Sequence, residues 1–97
     1  MLIDHQKLVG TPISGTFSSN SAYIRGLIKQ IVVKPLSETT IYDVNIVNPL
    51  GAKIYERLSE AGTLSELTDI PCNGIYTVTI NNATVNEQFI IQLITQE

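Results

Sequence analysis

Hydrophobic and polar positions alternate with a period of two in several separate stretches of this chain. The clearest is Thr40–Val47, where Tyr42, Val44 and Ile46 share one parity and Asp43 and Asn45 the other. Ile75–Ile80 repeats the pattern, with Tyr76, Val78 and Ile80 set against Thr77 and Thr79. Glu87–Ile94 does so again, with Phe89, Ile91 and Leu93 set against Gln88 and Gln92. Successive side chains of a strand point to opposite faces, so each stretch predicts a strand with its apolar parity toward a core. Asn48-Pro49-Leu50-Gly51 is a turn signal. Ala52–Leu58 follows it as a second strand with Ile54 inward, which makes a β-hairpin with Thr40–Val47.

Two segments are ambiguous in period. Tyr23–Lys34 (YIRGLIKQIVVK) is apolar-rich enough for a helix. Gly26 and the Ile31-Val32-Val33 cluster favour a long strand, closed by Pro35. A bend or bulge is expected at Gly26, and its polar residues Arg25, Lys29, Gln30 and Lys34 do not keep one parity, a slip that a bulge produces. Thr63–Asp69 carries Leu64 and Leu67 three apart and reads as a helical turn or an irregular strand, the strand being favoured. Ser59–Gly62, Ile70–Gly74 and Asn81–Ala83 read as turns. Asn73-Gly74-Ile75-Tyr76 has the pattern of a tyrosine corner, in which the Tyr hydroxyl bonds back to nearby backbone.

The first 21 residues show no steady period. Met1–Val9 mixes apolar and charged residues, and Gly10, Thr11, Pro12, Gly15 and Ser18–Ser21 read as loop, with a short strand around Ile13–Phe17. The expected organisation is therefore an extended N-terminal arm over 1–21 and one domain over 22–97. About seven strands with turns every eight to twelve residues predict an all-β antiparallel β-sandwich, jelly-roll or Ig-like.

Composition supports this class and removes others. Ile, Val and Thr make up 31 of 97 residues, a β-branched bias that suits pleated sheet. Charged residues are 15% against 43% hydrophobic, which is not the composition of a disordered chain. A net charge of −3 is a poor match to a phosphate backbone, so nucleic acid is not expected as a partner. Apolar runs are far shorter than a bilayer requires, so no membrane span is expected. Asp4, His5, Gln6 and Lys7 break up the N-terminal apolar residues, so they do not read as a signal peptide, and the Asn82-Ala83-Thr84 sequon reads as chance. The single cysteine, Cys72, excludes an internal disulfide.

Reactive chemistry is sparse. His5 is the only histidine and has no Ser or Cys placed with it as nucleophile. Cys72, between Pro71 and Asn73, reads as a small half-buried hydrophobe rather than a reactive thiol. Asp4, Asp43 and Asp69 are isolated, and Glu56, Glu60 and Glu66 are scattered, so neither metal nor cofactor is expected. The chain reads as a non-enzyme. Tyr42, Tyr76 and Phe89 phase toward the core, leaving Phe17, Tyr23 and Tyr55 as candidate surface aromatics for a protein interface or a sugar. Arg25, Lys29, Lys34, Lys53 and Arg57 fall on two strands and are candidates to line one face toward an acidic partner.

The blocks Ile24–Val33 with Thr40–Asp43, and Gly74–Ile80 with Phe89–Leu93, resemble small virion structural proteins of tailed bacteriophages. Such proteins share this length, this richness in Ile, Val, Thr and Asn, and this scarcity of Cys and His. The resemblance spans roughly 22–95 and implies capsid decoration (cement) or a head or tail accessory role. It brings with it a partner in the major capsid protein or another virion protein, and location in the virion after synthesis in the bacterial cytoplasm. The C-terminal part is also similar to jelly-roll-like domains appended to bacterial secreted peptidases. Neither resemblance carries a site motif onto this chain. On the leading reading the arm orders when it binds the capsid, with Met1, Leu2, Ile3, Leu8, Val9, Ile13 and Phe17 as apolar anchors, joined by Tyr23 and Tyr55. Edge strands need covering, which a homo-oligomer (dimer or trimer) would provide. The alternative reading is a carbohydrate- or surface-binding β-sandwich that uses Tyr23 or Tyr55.

Overall fold

The computed structural model describes residues 2–97. It contains eight strands, β1 (Ile3–Gly10), β2 (Phe17–Asn20), β3 (Ile24–Pro35), β4 (Ile41–Val47), β5 (Lys53–Ala61), β6 (Leu64–Gly74), β7 (Thr77–Asn81) and β8 (Phe89–Gln96), and no helix among the described residues. Pairing is antiparallel throughout and nests like the rungs of one long hairpin. β4 pairs with β5, β3 with β6, β2 with β7 and β1 with β8. The tip of that hairpin is the predicted turn, where Asn48 N–H donates to Ala52 O and Gly51 N–H donates to Asn48 O. Wrapping it brings β3 beside β8 and β4 beside β7. Two four-stranded sheets result, β1-β8-β3-β6 and β2-β7-β4-β5. This is a jelly roll, which resolves the choice between jelly-roll and Ig-like sandwiches.

The core lies between the sheets. Ile24, Ile28, Ile31 and Val33 of β3 and Phe89, Ile91 and Leu93 of β8 face Tyr42, Val44 and Ile46 of β4 and Val78 and Ile80 of β7. The inward parities expected for β4, β7 and β8 are the ones observed. The Tyr42 hydroxyl is buried and donates to Gly62 O at 2.7 Å, so a ring-sized apolar side chain enters the core with its polar atom satisfied. The tyrosine corner forms as well, with Asn73 N–H donating to the Tyr76 hydroxyl at 3.0 Å.

Several expectations need correction. Residues 3–10 are not a free arm: all eight pair with β8, from Ile3 opposite Gln96 to Gly10 opposite Phe89. Their side-chain pattern is irregular because an edge strand is held by its backbone ladder and does not need a clean apolar parity. The short strand around 13–17 is instead a tight turn, with mutual backbone hydrogen bonds between Ile13 and Thr16, and Phe17 opens β2. Ser59–Ala61 continues β5, and Ile70–Gly74 continues β6, despite their turn-like composition. Pro71 is tolerated there because β6 is the sheet's edge and a missing N–H leaves no rung unpaired. The bulge of β3 falls between Ile28 and Gln30, at Lys29, not at Gly26. A further irregularity between Ile46 and Val47 leaves Ile54 as the extra residue of β5, half-buried against the core as expected, while Tyr55, expected at the surface, lies opposite Ile46 and is buried.

Candidate interaction surface

The outer faces of the two sheets differ in chemistry. On the β2-β7-β4-β5 sheet the outer parity of β2 and β7 is Ser, Thr and Asn, and these side chains bond one another, whereas β4 and β5 add exposed Ile41 and Leu58 beside Asp43, Lys53 and Glu56. Ser18 pairs with Thr79 hydroxyl to hydroxyl at 2.9 Å, Thr77 Oγ1 donates to Asn20 Oδ1 at 2.9 Å, and Thr16 Oγ1 donates to Asn81 Oδ1 at 3.2 Å. Asp43 accepts from Ser59 N–H and Asn82 Nδ2, each at 2.8 Å, and these bonds hold its carboxyl below its ordinary pKa. The β2–β7 half of the face is polar with hydrogen bonds made within it, and the exposed aliphatics, Ile41 and Leu58, lie on β4 and β5.

The outer face of β1-β8-β3-β6 is built otherwise. Register places Val9, Ile90 and Lys34 in one row across the strands, and Lys7, Gln92, Val32 and Ser65 in the next. His5, Ile94, Gln30 and Leu67 follow, then Ile3, Gln96, Leu27 and Pro71. Aliphatic side chains thus recur in every row. Leu67 is 80% exposed and Ile3 60%, whereas Ile90, Ile94, Val32 and Leu27 are half-buried on the two central strands. Each aliphatic lies beside a polar or cationic neighbour, a mixture typical of surfaces that bind other proteins.

Charge is just as uneven. This face carries four of the six basic residues (Lys7, Arg25, Lys29, Lys34) and one of the nine acidic ones, Asp69. It is therefore +3 in a chain of −3, which leaves −6 for the remainder. Lys29 is ion-paired with Asp69. Lys7, Arg25 and Lys34 have no ion-pair partner among the described residues, whereas Lys53 and Arg57 of the other sheet pair with Glu56 and Glu66. The five cations expected on one face are thus split between the sheets, and every unpaired one belongs to the first.

The residues expected to bind a partner also separate. Ile3 and Val9 lie on this face, and Leu2 is exposed at its rim. Leu8 and Phe17 turn inward and pack against the core, Phe17 with its ring centroid 6.0 Å from that of Phe89. Ile13 is exposed on the β1–β2 turn. Met1 lies outside the described residues. Tyr55 is 7% exposed, so it offers no platform. Its hydroxyl donates to Glu66 Oε1 at 2.8 Å, and the Arg57 guanidinium lies 4.9 Å over its ring and also binds Glu66. This trio clasps the edge strands β5 and β6 of the two sheets. Hydrogen bonds from Tyr55 and then Arg57 hold the Glu66 carboxyl below its ordinary pKa, while burial pushes the Tyr55 hydroxyl up. Tyr23 remains 57% exposed, its hydroxyl donating to Asn73 Oδ1 at 2.5 Å. It borders a hollow of about 310 Å³ shared with Asp4, Gln6, Arg25 and Thr95.

Leu27, Val32, Ile90, Ile94 and Leu67, with Lys7, were not singled out from the sequence. The signal was present in β8, where Phe89–Ile94 is apolar on both parities apart from Gln92. A strand with one wet face does not need Ile90 and Ile94. Cys72 is buried, its Sγ 3.4 Å from Ile70 O, and burial pushes its thiol pKa up, the opposite of an activated nucleophile. His5 is exposed on the outer face, its Nδ1 3.2 Å from Gln92 Nε2. No group of three or more His, Cys, Asp or Glu among the described residues is placed to hold a metal ion.

Comparison with known proteins places the fold. No family model matches the chain, and no curated protein matches it in sequence. The periplasmic inhibitor of g-type lysozyme from Aeromonas hydrophila is similar in structure at a TM-score of 0.55 and 15% identity, over 96% of this chain and 86% of the inhibitor. The lectin-binding domain of lectinolysin, solved with Lewis b, is similar at 0.56 and 8% identity, over 98% of this chain and 71% of that one. At such identities the likeness is one of fold. The class defined is a small jelly-roll β-sandwich.

Proposed function

We propose that this chain is a non-catalytic virion structural protein of a tailed bacteriophage, a decoration protein that docks on the outside of the capsid and bridges its subunits. The observation that carries the reading is the outer face of β1-β8-β3-β6, where aliphatics recur in every strand row and all the unpaired cations gather. Such a face fits an acidic, partly apolar protein surface, with charge steering the encounter and the aliphatics supplying burial. The jelly roll supports this reading as a recurrent architecture of viral shells, and the resemblance of the Ile24–Val33 and Gly74–Ile80 blocks gives it direction.

The test replaces Lys7, Arg25 and Lys34 together by Glu and measures co-sedimentation with capsid shells assembled without the protein. Affinity is expected to fall by roughly tenfold or more, with a weakened salt dependence, as for other rim charges that steer docking. Lys53→Glu, on the other sheet, is expected to bind as the unmodified protein does. Equal binding by the triple variant overturns this face as the docking surface. The carbohydrate reading keeps one foothold, the exposed ring of Tyr23 beside Asp4, Gln6 and Arg25, and the lectinolysin module shows that this fold can present a glycan site. Absence of capsid binding, together with glycan retention that Tyr23→Ala abolishes, would replace the capsid reading.

A further inference from the structure

We infer that β1 is an exchangeable strand, and that two copies of this chain associate by trading β1 across the edge of β8 that it covers. Three observations lead there. The first is what holds β1 in place. Strands β3 to β8 each supply at least one buried hydrophobic to the core, and β1 supplies none. Its inward parity reads Asp4, Gln6, Leu8, Gly10, and of these only Leu8 packs against the core cluster, half-buried. β1 is therefore attached chiefly by its ladder to β8, and that ladder is indifferent to which copy provides it.

The second observation is what β1 covers. β8 is buried on its inner parity at Phe89, Ile91, Leu93 and Thr95, and it carries Ile90 and Ile94 on its outer parity. If β1 leaves, this apolar strand becomes an edge with a row of unpaired backbone groups, which demands a replacement strand. A second copy's β1 is the replacement whose side chains and register fit without change.

The third is the hinge. β1 joins β2 through a tight turn closed by the Ile13–Thr16 backbone bonds, in which Ser14 and Gly15 both have positive φ, 53° and 81°. A non-glycine residue in that region stores conformational strain, and short strained connections favour the open, exchanged form. Opening the turn extends Thr11–Thr16 and carries β1 outward, at the cost of the bonds that Gly15 makes with Asn86 Oδ1 through its N–H and with Ala83 N–H through its O. Exchange conserves the contacts of β1 with β8, so its cost is that of association plus the bonds of the opened turn.

The test needs no capsid, so its outcome is independent of the docking reading above. In a Cys72→Ala background, Lys7→Cys and Gln92→Cys are made in separate chains. These positions are register partners across β1 and β8, within the range a disulfide bridges. The two full-length proteins are mixed at high concentration and oxidised. Exchange predicts a cross-linked dimer of one Lys7→Cys chain with one Gln92→Cys chain, in on the order of tenfold excess over dimers of Lys7→Cys with itself. Ladder partners meet at millimolar effective concentration, whereas other pairs only collide. The variant carrying both cysteines in one chain, oxidised when dilute, locks its own β1 and is expected to stay monomeric on concentration. Equal yields of all cross-links, or a cross-link found only within the double variant, would overturn the exchange.

Discussion

Phe89→Ala is expected to cost about 3–5 kcal/mol of stability, the usual range for truncating a fully buried aromatic ring. In a domain this size that corresponds to a fall in melting temperature of roughly 15–30 °C. Phe89 has no exposed surface, and its ring meets Tyr42 edge-on with centroids 5.0 Å apart and planes at 80°. It also touches Phe17. Tyr42 and Phe17 belong to the other sheet, so the three rings form a cross-sheet contact and not merely filling within one layer. Gly10 and Pro35, its register partners on β1 and β3, are too small or too rigid to close over the gap. The check is thermal unfolding followed by circular dichroism. A loss below about 1 kcal/mol would mean that the neighbours collapse into the space and that the ring does not tie the sheets together.

Gly26→Ala is expected to be nearly as damaging, for a different reason. Gly26 has φ of 113°, a conformation that side-chain-bearing residues rarely adopt. A Cβ there would lie 2.1 Å from Gln96 O and 2.8 Å from Glu97 Cα, both backbone atoms that cannot rotate away. The end of β8 has to leave β3 where Leu27 pairs with Gln96. Strain alone is worth about 1–3 kcal/mol, and the lost pairing adds to it. Gly51 provides the comparison: its φ is 89°, but nothing lies within 4 Å of a built Cβ. Gly51→Ala is expected to cost only about 1–2 kcal/mol. Equal effects of the two substitutions in denaturant unfolding would show that φ alone, and not the approach of β8, fixes Gly26.

How far the sequence discloses this molecule depends on where a strand sits. Tyr42, Val44 and Ile46 were legible because β4 is a central strand with one parity wholly in the core, so burial imposes a strict period. β1 was not, because an edge strand is recruited by the unpaired backbone of β8 and leaves little mark on side-chain pattern. Tyr55 was read as a surface ring for a related reason, although Ile54 does pack against the core as expected. A bulge shifts parity by one residue, and nothing in Ala-Lys-Ile-Tyr-Glu announces where the extra residue falls. The sandwich class followed from local alternation, but the jelly-roll order rests on pairings as distant as Ile3 with Gln96, which no local pattern encodes.

The interaction surface shows the same division. Its cations could be counted in the sequence, yet only register shows that Lys7, Arg25 and Lys34, from two strands far apart in the chain, share one face. Reading β8 by its better parity hid Ile90 and Ile94, since each satisfies the strand pattern as an outward residue. Tyr23 was legible as a surface ring by elimination, since Tyr42, Tyr76 and Phe89 phase inward, although it precedes β3 and does not open the strand as expected.

The most direct measurement is the acetylation of lysines in the free protein and in particles that carry it. Lys7, Lys29 and Lys34 lie on the outer face of β1-β8-β3-β6, and Lys53 lies on the other sheet. In the free protein all four are expected to react. In the particle, Lys7 and Lys34 are expected to be protected while Lys53 reacts as before. Protection of Lys53 with Lys7 and Lys34 still reactive would contradict docking through the mixed aliphatic and cationic face.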